Sequence, residues 1–290
     1  MLSRYADLEW PIHYLDFGGD GPPLVCVHGL SGSALNWMTV GPSLTAEHRV
    51  LALDLRGFGR SPLGPGTRLR DNRHLLDLFL RDVVGGPATL VGNSMGGLLS
   101  VMQAAASPET VSGLVLVDPA LPWRGHRPFD LTLYAFFASL LPPLAAEAML
   151  GWGGRRWGAE RIVAGVMAAC CVDPGRVPAD VVRALVDQET ERLARARSHR
   201  ALAQAARSLL WALGRRGLMR TYRRVRAPVL IVHGECDRLV PVGYSAAVGR
   251  RFGWQVEELP DVGHLPMMEA PDEFIRVTLG WLASNQPAAA

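Results

Sequence analysis

The chain has 290 residues, of which 49% are hydrophobic and 20% are charged, and its formal net charge is +3. This composition is typical of a globular protein, and the small net charge disfavours binding to nucleic acid. The four cysteines lack the spacing of zinc sites or redox motifs, so they predict no metal site.

Short apolar segments with β-branched residues alternate with segments of helical spacing along most of the chain. This alternation predicts an α/β protein with a mostly parallel sheet and helices on both faces. In chain order, we expect paired strands within Leu8–Phe17, strands Leu24–Val27 and Val50–Leu53, a helix over Thr67–Val84, a strand Ala88–Val91, a helix Gly96–Ala106, strands Gly113–Val117, Pro228–Val232 and Trp254–Glu258, and a helix Pro271–Leu282.

One long segment interrupts this alternation. Residues 122–224 contain no convincing buried strand and are rich in Ala, Leu, Arg and Trp with helical spacing. An insertion of this kind between two strands predicts a helical cap over the carboxyl edge of the sheet, where ligands of open α/β sheets bind. We therefore expect a core of residues 1–121 and 225–290 and a cap of residues 122–224.

The sequence carries no signal for export or membrane insertion. Residues 1–7 lack the apolar core of a signal peptide, and no apolar run has the length of a membrane span. We expect a cytoplasmic protein, a monomer or homodimer, that acts on a small molecule.

A Gly-Asn-Ser-Met-Gly motif lies at residues 92–96, between a predicted strand and a predicted helix. A serine on such a sharp turn is exposed and strained, and glycines on both sides allow the close backbone approach that the turn requires. Ser94 is therefore a candidate nucleophile. By itself the motif is weak, because about 0.16 copies are expected by chance in a chain with this many serines and glycines.

A serine nucleophile needs a base, and the base needs a carboxylate that orients it. His264 lies between the last predicted strand and the last predicted helix, so we predict that it is the base. Asp237, after the preceding strand, is the predicted acid and is preferred to Glu235. Asp118 remains a second candidate acid, although we expect it to form a turn or helix cap with Pro119.

An oxyanion hole requires two backbone N–H groups that point at the developing charge. Met95 follows the nucleophile and supplies the first. The second is expected from Leu30, in the Gly-containing loop after strand Leu24–Val27. We expect His28 in the same loop to be a scaffold residue that bonds to loop backbone.

Together, these motifs resemble the serine hydrolases of the α/β-hydrolase superfamily, carboxylesterases in particular, over nearly the full chain. The resemblance implies an eight-stranded, largely parallel sheet, a cap after the sixth strand and no cofactor. It also implies a mainly structural role for the segment 54–61. The matching residues are His28-Gly29, Asp54–Ser61, Gly92–Gly97, Gly234, Asp237, Val240-Pro241, Gly263-His264 and Glu269–Pro271.

The resemblance implies hydrolysis of a small or medium apolar ester through an acyl-enzyme. A carbon–carbon hydrolase of a vinylogous diketone is an alternative, but such relatives usually have tryptophan after the catalytic histidine, where this chain has Leu265. A hydrolase-fold ligand receptor with slow or no turnover is a second alternative. Predicted substrate-lining residues are Leu35, Trp37, Leu265 and Met267. We expect most aromatic residues of the cap to pack within the cap and onto the sheet and a minority to line an apolar pocket. These aromatic residues include Trp123, Phe129, Tyr134, Phe136, Phe137, Trp152 and Trp157.

Overall fold

A computed structural model describes residues 1–121, 139, 142–195 and 197–285 of the chain. Its described strands form one eight-stranded sheet in the order β1-β2-β4-β3-β5-β6-β7-β8. The strands are β1 Leu2–Asp7, β2 Pro11–Gly18, β3 Pro23–Val27, β4 Arg49–Leu53, β5 Ala88–Asn93, β6 Val111–Val117, β7 Val229–Gly234 and β8 Gln255–Leu259. The sheet confirms the predicted α/β fold, and the hairpin within residues 8–17 begins earlier than predicted, at Leu2.

The sheet is parallel from β4 to β8, and only β1 and β2 run antiparallel to their neighbours. Strand β3 has β4 on one side and β5 on the other, so the strand order reverses at β3. The loops that leave the carboxyl ends of β3 and β5 therefore diverge around a crevice, which is where open α/β sheets bind ligands.

Helices cover both faces of the sheet. The helices are α1 Gly41–Leu44, α2 Leu69–Leu78, α3 Met95–Ala106, α4 Pro143–Cys170, α5 Ala179–Ala194, α6 Ser198–Gly214, α7 Leu218–Tyr222, α8 Val242–Phe252, α9 Pro266–Glu269 and α10 Pro271–Asn285. One apolar cluster packs α2, α3 and α6 against the sheet, and a second cluster packs α10 against the opposite face. The predicted helix Thr67–Val84 begins at Leu69 and ends in a π-helical turn, Phe79–Val84.

The described part of the predicted cap segment is helical, as expected for residues 122–224. Its helices are α4, α5, α6 and α7, and α4 is kinked at Gly158. Two of these helices also pack against the sheet. Leu209 of α6 and Tyr222 of α7 are buried in the apolar cluster that contains α2 and α3. The division into core and cap stays a prediction.

Every helix in the described ranges is too short or too polar to cross a membrane.

Candidate active site

Ser94 occupies a sharp turn between strand β5 and helix α3. Its φ of 53° and ψ of −115° are an unusual combination for a residue other than glycine. The turn brings its two ends so close that a Cβ added to Gly92 would lie 2.6 Å from the carbonyl oxygen of Gly96. The glycines of the motif are thus required by backbone packing, and the strain is stored at the serine itself.

The loop after β3 lies directly against this turn. A Cβ added to Gly29 would lie 3.1 Å from Cβ of Ser94, and one added to Gly96 would lie 2.1 Å from the carbonyl oxygen of Val27. The structure therefore brings together the two segments that contain Leu30 and Met95. Their assignment as oxyanion donors stays a prediction.

Two buried side chains hold this loop in place. The Nδ1–H of His28 donates to the carbonyl of Gly29 at 2.7 Å, and its Nε2 accepts from the Leu55 N–H at 3.0 Å. Asp54 accepts the N–H of Ala34 at 2.7 Å and that of Arg60 at 2.8 Å. Burial lowers the pKa of His28, which favours the neutral imidazole that this bonding pattern needs. These bonds agree with the predicted structural roles of His28 and the segment 54–61.

His264 and Asp237 form a buried pair at the same edge of the sheet. The Nδ1–H of His264 donates to Oδ2 of Asp237 at 2.7 Å. The other carboxylate oxygen, Oδ1, accepts the N–H groups of Leu239 at 2.7 Å and Val240 at 3.1 Å. Glu235, the acid that we set aside, is exposed. The structure thus places Asp237, rather than Glu235, against the predicted base.

Asp237 is held in its ionised form. Burial opposes the charge, but the neighbouring imidazole of His264 and a contact with His233 outweigh burial and lower the pKa of Asp237. A charged carboxylate at this place fixes the Nδ1–H tautomer of His264, in which Nε2 is the nitrogen that can accept a proton, as a general base requires.

Two hydrogen bonds hold the backbone of His264, and a third holds that of Gly263 directly before it. Its N–H donates to the carbonyl of Cys170, at the end of α4, at 2.6 Å, and its carbonyl accepts from Nδ2 of Asn93 at 3.1 Å. Glu269 is 3% exposed and accepts the N–H of Gly263 at 2.8 Å and that of Asp173 at 2.8 Å. The base therefore sits between the nucleophile turn and the predicted cap.

Sequence reasoning assigned no role to two of these supports. Asn93 directly precedes the serine and ties the turn to the histidine loop, while Glu269 ties that loop to residues after α4. Both residues lie within the motifs that carry the family resemblance, Asn93 before the serine and Glu269 after the histidine, and this position was the one signal that either gave. Within the described residues, no hydrogen bond joins Ser94 to His264, a contact that often tightens only when substrate is bound.

Asp118 does not form the turn or helix cap that we expected with Pro119. Its side chain is fully buried, and its Oδ1 accepts the N–H of Gly234, at the end of β7, at 2.9 Å. The prediction was wrong because β6 and β7 pair in parallel, so the residue after β6 lies beside the end of β7 instead of facing solvent.

Within the described part of the chain, one group of side chains has the spacing of metal ligands. It consists of Asp118, Asp237 and His264, each of which places one possible ligand atom within 4.8 Å of the others. The donor set does not favour a cation. The 2.7 Å separation of His264 Nδ1 and Asp237 Oδ2 is a direct hydrogen bond, which leaves no room for an ion between these atoms.

The predicted substrate-lining residues lie at differing depths. Trp37 and Met267 are fully buried in the apolar cluster beneath α10, Leu265 is 5% exposed, and Leu35 is half-buried beside them. Contact of these residues with substrate stays a prediction. Of the predicted cap aromatics, Trp152 and Trp157 are exposed and pack edge to face at 5.9 Å, whereas Trp123, Phe129, Tyr134, Phe136 and Phe137 lie outside the described residues.

Comparison with known proteins assigns a family to this architecture. The profile of the alpha/beta hydrolase family matches residues 24–277. The 2-hydroxy-6-oxo-6-(2'-aminophenyl)hexa-2,4-dienoic acid hydrolase of Metapseudomonas resinovorans is 28% identical over 283 residues, which cover 93% of this chain and 87% of the relative. The 2-(acetamidomethylene)succinate hydrolase of Mesorhizobium japonicum is 28% identical over 289 residues, covering 97% and 95%.

A solved structure supports the fold independently. A putative lipase from Acinetobacter baumannii AYE superposes with a TM-score of 0.81 at 22% identity, covering 98% of this chain and 92% of the other. At this identity, the likeness concerns the fold alone.

Proposed function

Because the chain belongs to the alpha/beta hydrolase family, we propose that it is a serine hydrolase that cleaves carboxylic esters of small or medium apolar substrates through an acyl-enzyme. The observation that carries this proposal is the position of Ser94. It lies on a strained turn at the sheet edge where a buried carboxylate–imidazole pair, Asp237 and His264, also lies.

The proposed first half-reaction transfers the acyl group to the enzyme. His264 Nε2 accepts the proton of Ser94 Oγ while Oγ attacks the ester carbonyl. The N–H groups of Leu30 and Met95 stabilise the oxyanion of the tetrahedral intermediate. Collapse of this intermediate breaks the ester C–O bond, and the imidazolium of His264 gives its proton to the departing alcohol.

The second half-reaction regenerates the serine. His264 accepts a proton from water, the resulting hydroxide attacks the acyl carbonyl, and the acid is released as Ser94 regains its proton. Asp237 remains ionised in both halves and stabilises the imidazolium each time it forms.

We further propose that residues 122–224 act as a cap that selects the substrate. The contacts at the end of α4 support this proposal, because the carbonyl of Cys170 binds the backbone N–H of His264 and the N–H of Asp173 binds Glu269. A cap that touches the histidine loop directly is placed to enclose the acyl group and exclude water.

A carbon–carbon hydrolase is a second candidate, favoured by one relative. That relative's name describes a hydrolase of a 2-hydroxy-6-oxo-hexadienoic acid, which is the dienol form of a vinylogous diketone. The same serine, histidine and aspartate would serve this reaction. Loss of the dienol absorbance on mixing with such a compound, at a rate above that for esters, would favour this candidate.

The proposal is tested by turnover of p-nitrophenyl butyrate. Ser94→Ala removes the nucleophile, so we expect kcat to fall by at least about 10⁴-fold. Ser43→Ala changes an exposed serine of α1 and serves as the matched control with wild-type turnover. Turnover by Ser94→Ala equal to that of the wild type would refute the proposal.

A further inference from the structure

A second buried carboxyl group lies next to the Asp237–His264 pair. Asp118 follows β6 and Asp237 lies just beyond β7, and these strands pair in parallel with Val117 opposite Val232. Adjacent parallel strands end at the same edge, so both carboxyl groups reach one place. One atom each from Asp118, Asp237 and His264 lie within 4.8 Å of one another.

The carboxyl group of Asp118 uses only part of its hydrogen-bonding capacity in this position. Its Oδ1 accepts the N–H of Gly234, but its Oδ2 is buried and has no donor among the described residues. Burial and the neighbouring carboxyl group of Asp237 raise the pKa of Asp118. Its backbone also has a φ of +43°, which is uncommon for a residue other than glycine. A buried carboxyl oxygen without a donor costs free energy, so its retention here calls for a role that the bond of Oδ1 does not supply.

A second histidine lies between the two carboxyl groups. His233 Nε2 is 3.5 Å from Asp118 Oδ1 and 3.3 Å from Asp237 Oδ2, while it donates to the carbonyl of Val240 at 2.7 Å. Its Nδ1 lies 2.7 Å from Oγ of Ser245. Burial opposes charge on this imidazole, but the carboxyl groups outweigh burial and raise the pKa of His233. A shared cationic partner allows two acids to occupy one buried site.

We propose that Asp118 is a positioning residue: a reserve acid whose unpaired Oδ2 accepts the Nδ1–H of His264 when Asp237 is not available. His264 would then have two alternative acids, supplied by neighbouring strands. This inference rests on the proposed function, because it concerns the base of that reaction. The reach is short, since a carboxyl oxygen of Asp118 lies within 4.8 Å of a ring nitrogen of His264.

The direct test is a double-mutant cycle with p-nitrophenyl butyrate. Asp237→Asn leaves Asp118 to orient His264, so we expect kcat to fall by roughly 10²-fold with little change in KM. Asp118→Asn alone should cost less than about tenfold. Together they should cost roughly 10⁴-fold, the loss typical of a triad without an acid. Asp118→Asn must therefore be much more severe when Asp237 is absent.

Two outcomes overturn the inference. One is an equal effect of Asp118→Asn in both backgrounds, which would make the residue merely structural. The other is a severe effect of Asp118→Asn alone, which would make Asp118 the principal acid. Asp82→Asn, on an exposed aspartate of the π-helical turn, is the matched control for a change of Asp to Asn.

A second measurement does not depend on turnover. Proton NMR should show a strongly deshielded Nδ1–H resonance of His264 in the wild type and in Asp237→Asn, and none in the double variant. Absence of this resonance in folded Asp237→Asn overturns the inference. If a fluorophosphonate fails to label Ser94 in the wild type, the proposed function fails separately, whatever the NMR result shows.

Discussion

The nucleophile half of the site is held chiefly by backbone contacts, and the acid–base half adds a network of buried side chains. Around Ser94 the contacts are between backbones, and glycines at 92 and 96 leave no space for a side chain. Around His264 backbones also pack closely, since a Cβ added to Gly263 would lie 2.2 Å from the carbonyl oxygen of Cys170. Buried side chains, chiefly Asp237, Asn93 and Glu269, add a network of hydrogen bonds there. Backbone packing requires one residue type, glycine, at each position. In a side-chain network, several residues share the stabilisation of the histidine loop.

The largest effect is expected from a substitution in the nucleophile half, where backbone contacts hold the turn at Ser94. Gly96→Ala places a Cβ 2.1 Å from the carbonyl oxygen of Val27, and neither backbone can move without displacing a central strand. We expect a loss of at least about 3 kcal/mol in the free energy of unfolding, measured by urea denaturation.

The matched control is another helical glycine. Gly280 of α10 has nothing within 4 Å of an added Cβ, so Gly280→Ala should raise stability by about 0.5–1 kcal/mol. Equal stability of the two variants would show that the turn is not held by backbone contact.

A smaller effect is expected in the acid–base half of the site. Its two carboxyl groups should change the stability of the fold in opposite directions as the pH rises. Asp237 has its pKa lowered below the ordinary 3.8, although burial opposes this, because of His264 and His233. It therefore stabilises the fold above pH 3.8, and this contribution is lost as the pH falls through its folded pKa. Asp118 has its pKa raised by burial and by the charge of Asp237, so its contribution is lost as the pH rises above 3.8.

Thermal unfolding at a series of pH values checks this opposition. Relative to the wild type, Asp118→Asn should gain stability as the pH rises above about 4, whereas Asp237→Asn should lose stability as the pH rises towards 4 from below. Parallel pH dependences in the two variants would contradict the assigned ionisation states.

The same contrast explains how much could be predicted from the sequence. The alternation of short apolar segments with helical segments, the strand before Ser94 and the glycines beside it are local signals, and they predicted the α/β fold and the sharp turn at Ser94. The surroundings of Asp118 were mispredicted, since they depend on the pairing of β6 with β7, which are separated by more than a hundred residues. The bond of Glu269 to Asp173, which lies 96 residues earlier, could not be predicted for the same reason.

Mass spectrometry of the trapped acyl-enzyme tests the central claim most directly. The wild-type protein is quenched with acid during turnover of p-nitrophenyl butyrate, digested and mapped. We expect one added butyryl group on Ser94, and none when Ser94→Ala is treated in the same way. Turnover of the ester with the butyryl group on another residue, or with Ser94 unmodified at every quench time, would contradict the account.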